Sequence, residues 1–199
     1  MILFENLLRK QAMIPKFVHF EDNDIKNICV TKWGENGRLS LEKAYQIKEL
    51  GGDFKEKTFG NFKELALFSS LNGGLSTETM PNNKSVFASS HFDTIQLPEG
   101  LKIVPHSMFR NSQGECVIIP SSVTVIDELT FHGARIKKLV LKGSNYINPN
   151  RYWSVLFARI ENLYVAPHLV DTYKQSTQWN SQAMQGYLGQ VLPLTEYQG

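Results

Sequence analysis

A chain of 199 residues is long enough for one domain of ordinary size, and its 42% hydrophobic and 11% aromatic content supplies a packed core, which excludes a wholly disordered polymer. The 21 Lys and Arg nearly cancel the 19 Asp and Glu, leaving +2, so no basic excess exists to hold a nucleic-acid backbone by counterion release, and no nucleic-acid partner is expected. Cys29 and Cys116 lie far apart in apolar segments, which favours buried thiols over a disulfide framework or a metal pair.

Residues 1–15 form an amphipathic arm in which Ile2, Leu3, Leu7 and Leu8 oppose Glu5, Arg9 and Lys10, and Pro15 stops any helix there. The arm is expected either to be partly ordered or to dock onto a partner or sister chain. Its apolar run ends at Phe4, too short for a secretory signal, and no stretch approaches the ~20 apolar residues of a bilayer span. Virion or cytoplasm is therefore the expected location rather than a Sec-exported cell surface.

From Asn23 to Trp33, Ile25, Ile28, Cys29 and Trp33 recur at spacings of three and four, the stripe of an amphipathic helix capped by Asp22 or Asn23. Gly34, Asn36 and Gly37 break the pattern. A second stripe opens at Ser40, carries Leu41, Ala44, Tyr45 and Ile47, and runs to Leu50 before Gly51-Gly52. A calcium-binding loop needs oxygen donors at its first, third, fifth and twelfth positions and glycine at its sixth. With Gly37 as the sixth residue, Lys32 stands first and Lys43 twelfth, so cations replace two donors. The pair is read as a metal-free structural cap.

A repeat governs the second half. Ile95-Gln96-Leu97-Pro98-Glu99-Gly100-Leu101-Lys102-Ile103 returns 22 residues later as Val117-Ile118-Ile119-Pro120-Ser121-Ser122-Val123-Thr124-Val125. Phe87, Phe109 and Phe131 keep the same phase, as do Leu139 and Leu141, and Leu163-Tyr164-Val165 comes after a two-residue insertion. A short apolar-x-apolar strand at this period belongs to leucine-rich solenoids, in which stacked turns bury what one turn cannot. Ile95, Leu97, Val117, Ile119, Leu139, Leu141, Leu163 and Val165 are then expected to point inward. Leu101/Ile103 and Val123/Val125 form a second buried row, and the three phenylalanines close the convex side.

The unit "IPSSVTVIDELTFHGARIKKLVL" resembles the repeat of the BspA-type leucine-rich proteins of Bacteroidetes, through Ile119, Pro120, Val123, Ile126, Phe131, Ile136 and Leu139. It departs at Leu129 and Thr130, where the family favours a small residue before Phe, and at Ala134, where it often has Cys. The last unit is similar to the closing segment of these proteins at Leu163, Tyr164, Val165, Val170, Tyr173 and Lys174. The helical pair resembles the EF-hand-like module placed ahead of such repeats at Val18, Phe20, Glu21, Asp22, Ile28, Cys29, Val30, Trp33, Asn36, Gly37, Leu39, Ser40, Glu42 and Ala44. The resemblance covers about residues 16–180. It implies a surface or particle-associated binding protein, including forms encoded by phages of these hosts, and no enzyme.

Chemistry-bearing residues weigh toward packing. His19, His91, His106, His132 and His168 never fall at zinc-ligand spacing, and Ser40 of the Ser-x-x-Lys sequence stands where a helix cap is expected. Gly73-Gly74 and the Asn/Ser-rich stretch from Pro81 to Ser90 read as an irregular first repeat, and the sequon at Asn83 carries no weight. No catalytic residue, metal ligand or cofactor is expected.

The expected fold is α+β: a short leucine-rich solenoid of parallel strands over residues 59–168, behind an arm at 1–15 and a helix-loop-helix cap at 16–58. A C-terminal cap and tail at 169–199 completes it, with a helix near 169–180. The outward positions Gln96, Ile118, Val140 and Tyr164, with Lys138 and Asn162 on the preceding outward row beside Thr94 and Cys116, are the expected partner-binding face. The alternative is that residues 60–80 or the C-terminal tail cover that row. The expected job is non-enzymatic interaction or adhesion, toward a protein or glycan surface or toward sister subunits of an assembly, with a structural subunit of a phage particle as the alternative.

Overall fold

The computed structural model describes residues 16–73, 85–149, 154–179 and 187–199. The arm at 1–15, Gly74, Pro81 to Lys84 and the sequon asparagine lie outside the described residues.

Helix α1 (Asn23–Trp33) forms where the apolar stripe places it, with Ile25 and Cys29 buried. Asp22 caps it: Oδ1 accepts from the amides of Asp24 and Ile25 at 2.8 and 2.9 Å, satisfying two of the donors that a helix start leaves open. The other oxygen, Oδ2, accepts from the Gly60 amide at 2.7 Å, so one carboxylate starts the helix and ties it to the first strand. Glu64 Oε1 accepts from the Glu21 amide at 2.8 Å and adds a second tie. Asn36 and Gly37 take positive φ of 50° and 74° between Glu35 and Arg38, which exchange backbone hydrogen bonds at 2.8 and 3.0 Å; this is the tight turn that an Asn-Gly pair favours.

Helix α2 (Leu41–Gln46) is shorter than the stripe suggests. Ile47 is already extended, at φ −67° and ψ 120°. An extended chain brings both Ile47 and Leu50 into the core, 4% and 1% exposed. Lys32, expected at the first loop position, closes the last turn of α1, where its ammonium donates to the Leu50 carbonyl at 2.9 Å and pairs with Asp53.

Strands β1 (Thr58–Phe62), β2 (His91–Gln96), β4 (Gln113–Ile119), β6 (Arg135–Leu141), β7 (Arg159–Val165) and β8 (Tyr187–Pro193) form one parallel sheet in that order. Short strands β3 (Ile103–Val104) and β5 (Val125–Ile126) form a second sheet. The sheet has more strands than the repeat announces. β1 and β8 stand outside its 22-residue phase, and β8 lies in what reads as tail.

Two inward rows run across the ladder: Phe59, Phe92, Gly114, Ile136, Ile160, Leu188, and Phe62, Ile95, Val117, Leu139, Leu163, Val191. Leu97, Ile119, Leu141 and Val165 add the third, buried as expected. Ahead of the short strands Leu101 and Val123 are buried, but within them Ile103 and Val125 are only half-buried, and Val104 and Ile126 face the core instead. The short strands therefore enter one residue later than the apolar pattern suggests.

On the far side Phe87, Phe109 and Phe131 stack with ring centroids 5.5 and 5.3 Å apart and interplanar angles of 17° and 4°. Each ladder step is locked by the backbone: the amides of Phe87, Phe109 and Phe131 donate to Met108, Thr130 and Ser154 at 2.9, 2.8 and 2.8 Å. Behind the last turns, helix α3 (Val170–Gln175) delivers Tyr173, whose hydroxyl accepts from the Ile147 amide at 2.9 Å, while Trp179 Nε1 donates to the Ile147 carbonyl at 3.0 Å. Two aromatic side chains thus satisfy both backbone groups of one buried residue, as closed solenoid ends require. Burial pushes the Tyr173 phenol up to about 12.

One position in the inward rows has no side chain because its neighbour fills the space. A Cβ on Gly114 would stand 2.1 Å from the Phe92 ring on the adjacent strand. Gly114→Ala should therefore cost about 1–3 kcal/mol by overpacking, and Phe92→Leu in the same chain should recover most of it. Urea unfolding of the two single variants and the double variant checks this, and additive losses would sink it.

Candidate interaction surface

The outward face of the sheet divides across the strands into two halves of opposite character. On the half toward the strand ends, Cys116, Ile118 and Tyr164 are 6%, 6% and 9% exposed and Val140 is fully buried. Leu192 of β8, Leu194 and Tyr197 pack over them. The 3₁₀ turn Leu194–Glu196 folds the chain back and sets the Tyr197 ring 5.3 Å from the Tyr164 ring, with the hydroxyl 3.4 Å from Cys116 Sγ. Burial pushes both the Cys116 thiol and the Tyr197 phenol up, and their mutual contact raises the phenol further. Of the residues expected to meet a partner, Ile118, Val140 and Tyr164 are therefore beneath the C-terminal segment and not on an open face. An uncovered apolar row of this kind would lose the free energy of burial, and the tail supplies it from within the chain. Gln96 and Asn162 remain half-buried, and Lys138 is exposed.

The other half, toward the strand starts, is open and polar. It forms a groove of about 800 Å³ lined by His91, Asp93, Gln113, Glu115, Arg135, Lys137, Arg159, Glu161 and Tyr187. The outermost row is in register across the whole sheet: Thr58, His91, Gln113, Arg135, Arg159, Tyr187. Lys137 pairs with Glu115 at 2.6 Å, and that hydrogen-bonded contact raises the Lys137 ammonium; both side chains are more than half exposed, so the pair orders the surface more than it stabilises the fold. The Arg159 guanidinium lies 5.3 Å from the centre of the Tyr187 ring. At the β1 end, Gly60 has no side chain between two carboxylates, since a Cβ there would meet Asp22 Oδ2 at 2.8 Å and Asp93 Oδ2 at 3.4 Å.

The groove residues escape a reading of the sequence because an alternating polar row looks like a solvated face. The signal lies four residues before Ile95, Val117 and Leu139, where His91, Gln113 and Arg135 keep the 22-residue phase. Among the described residues no group of three or more His, Cys, Asp or Glu side chains gathers to hold a metal, and no helix is long and apolar enough to cross a membrane. The chemistry on offer is hydrogen bonding and ion pairing.

No curated protein and no solved structure matches the chain. The profile of the BspA type Leucine rich repeat region matches residues 53–163 in six copies, a span that begins just ahead of β1 and ends within β7. That span exceeds half of the sequence, and with the parallel ladder it covers, the chain belongs to the BspA-type leucine-rich repeat family.

Proposed function

We propose that this protein is a non-enzymatic adhesion module that holds a protein or glycan partner in the polar groove at the strand starts. Leucine-rich repeats of this type are interaction modules, and the observation that carries the reading is the contrast between the two halves of the sheet. The apolar half is closed by the chain itself, and the half that stays open presents six charged side chains and a half-exposed tyrosine on a rigid ladder. A rigid array loses little conformational freedom when it binds, so modest contacts add up to specific recognition. Asn162 also lines this groove, and Lys138 is its partner in register on β6.

Gln113 sits in the middle of the outer row, and Gln113→Trp should block the groove without touching the core. Peptide and glycan microarrays probed with the wild type, with Gln113→Trp and with Lys102→Trp on an exposed turn outside the groove make the test. Signals at least tenfold weaker with Gln113→Trp alone support the reading. Equal signals from all three proteins, or no signal above background with the wild type, count against it.

A further inference from the structure

The groove's charges define the kind of partner it fits, provided that the groove is the contact surface. Arg135 and Arg159 are Cα partners on adjacent strands, both exposed. Like charges directly opposite one another in a sheet repel. Among the described residues neither guanidinium has a carboxylate within ion-pair distance, and the nearby Glu115 is already held by Lys137. Tyr187 packs against Arg159 and restrains it, which lowers the ordering cost of a fork that matches a carboxylate with two N–H groups. At the other end of the same groove stands Asp93, exposed and without an ion-pair partner among the described residues. The neighbouring Asp22 is already used by three amides.

The lining as a whole holds three cations, Arg135, Lys137 and Arg159, and three anions, Asp93, Glu115 and Glu161. A polymer of repeating negative charge, whether a sulfated glycan or a phosphodiester, would meet repulsion at each of those carboxylates. A segment that carries both signs at fixed spacing is complementary. β2 and β6 are separated by two strand spacings of ~4.8 Å and β2 and β7 by three, and Asp93 stands two residues, ~7 Å, further along its strand than the row of Arg135 and Arg159; the diagonal is about 12–16 Å, which an extended chain at ~3.3 Å per residue crosses in four or five residues.

We propose that the groove binds an extended protein segment lying obliquely across the strands, with an Asp or Glu carboxylate received by Arg135 and Arg159 and a Lys or Arg four or five residues away set against Asp93. The probe is a synthetic peptide library on a neutral Ser/Gly background, with one Lys and one Glu separated by zero to seven residues in both orders. Binding of the full chain to it is read at low and physiological salt. Retention should peak with three or four intervening residues, fall at least tenfold when Glu becomes Gln, and fall as far with Arg135→Gln or Arg159→Gln. Asp93→Asn should flatten the spacing dependence, and Arg135→Lys should restore part of the binding, which loss of fold would not allow. Thermal melts of these surface variants verify that each is folded.

A spacing profile that is flat in the wild type, or binding unchanged by Arg135→Gln, overturns the proposal. Tighter binding of heparin or of poly-Glu than of any mixed-charge peptide overturns it in favour of an anionic polymer. If Gln113→Trp still abolishes array signals while the arginine variants bind normally, the groove stands and this partner class falls. If Gln113→Trp changes nothing, both fall.

Discussion

Replacing Phe109 by Ala should cost about 3–5 kcal/mol, a large share of the stability of a domain this size. The ring is fully buried and is the middle member of the stack, 5.5 Å from Phe87 and 5.3 Å from Phe131, with Phe92 of β2 a further 6.0 Å neighbour. Its removal leaves a cavity shared by two consecutive turns, and the backbone bonds of Phe87 to Met108 and of Phe109 to Thr130 prevent the turns from collapsing into it. A solenoid's stability is approximately a sum of turn terms and nearest-neighbour interfaces. Weakening the central interface should therefore also uncouple the ends. Trp33 in the N-terminal cap and Trp179 in the C-terminal cap report on the two ends separately once the other, together with the third tryptophan Trp153, is replaced by Phe. Urea unfolding followed by fluorescence should show coincident transitions in the parent and separated ones with Phe109→Ala. A loss under about 1.5 kcal/mol with coincident transitions would mean that the stack is not what couples the turns.

Much of this architecture is legible because a solenoid writes its core as a period. The inward residues of β2, β4 and β6 and the phenylalanine stack repeat every 22 residues, β7 follows after 24, and each is stabilised by its copy one turn away. The cap at Asp22 is equally local, since its carboxylate bonds amides two and three residues on. β1 and β8 are not legible in that way. They keep the inward pair, Phe59/Phe62 and Leu188/Val191, but at irregular distance from the nearest repeat, so only pairing in three dimensions assigns them. The fate of the outward row is undecidable from sequence for the same reason. Ile118, Val140 and Tyr164 read as an apolar face, and whether it meets a partner or the chain's own end depends on a 3₁₀ turn at Leu194–Glu196 that no periodicity announces. The groove is the converse case: its row keeps the period, but charged side chains at alternating positions look like ordinary solvated surface until the register sets Arg135 beside Arg159.

The cover over that row leads to the second large effect. Val140→Asp should cost more than about 3 kcal/mol, because Val140 has no exposed surface and the introduced carboxylate would be buried among Ile118, Tyr164 and Leu192 with no cation in the cluster. Burial raises the pKa of such a carboxyl above its unfolded value. The penalty is then smallest below the ordinary carboxylate range and grows as the pH rises through the folded-state pKa, the reverse of the usual acid lability. Ile118→Asp and Tyr164→Asp should lower stability in the same direction, instead of leaving a folded protein with an altered contact face. Ending the chain after Pro193 tests the cover itself. It removes Leu194 and Tyr197, exposes the row and frees Cys116, whose thiol is held unreactive by burial under Tyr197. Cys29, fully buried in the N-terminal cap with its thiol also pushed up by burial, serves as the internal control. Labelling with a thiol reagent at neutral pH should accelerate at least tenfold at Cys116 and stay slow at Cys29, and light scattering should report self-association through the uncovered apolar row. Equal labelling rates before and after truncation would show that the C-terminal segment does not seal the face.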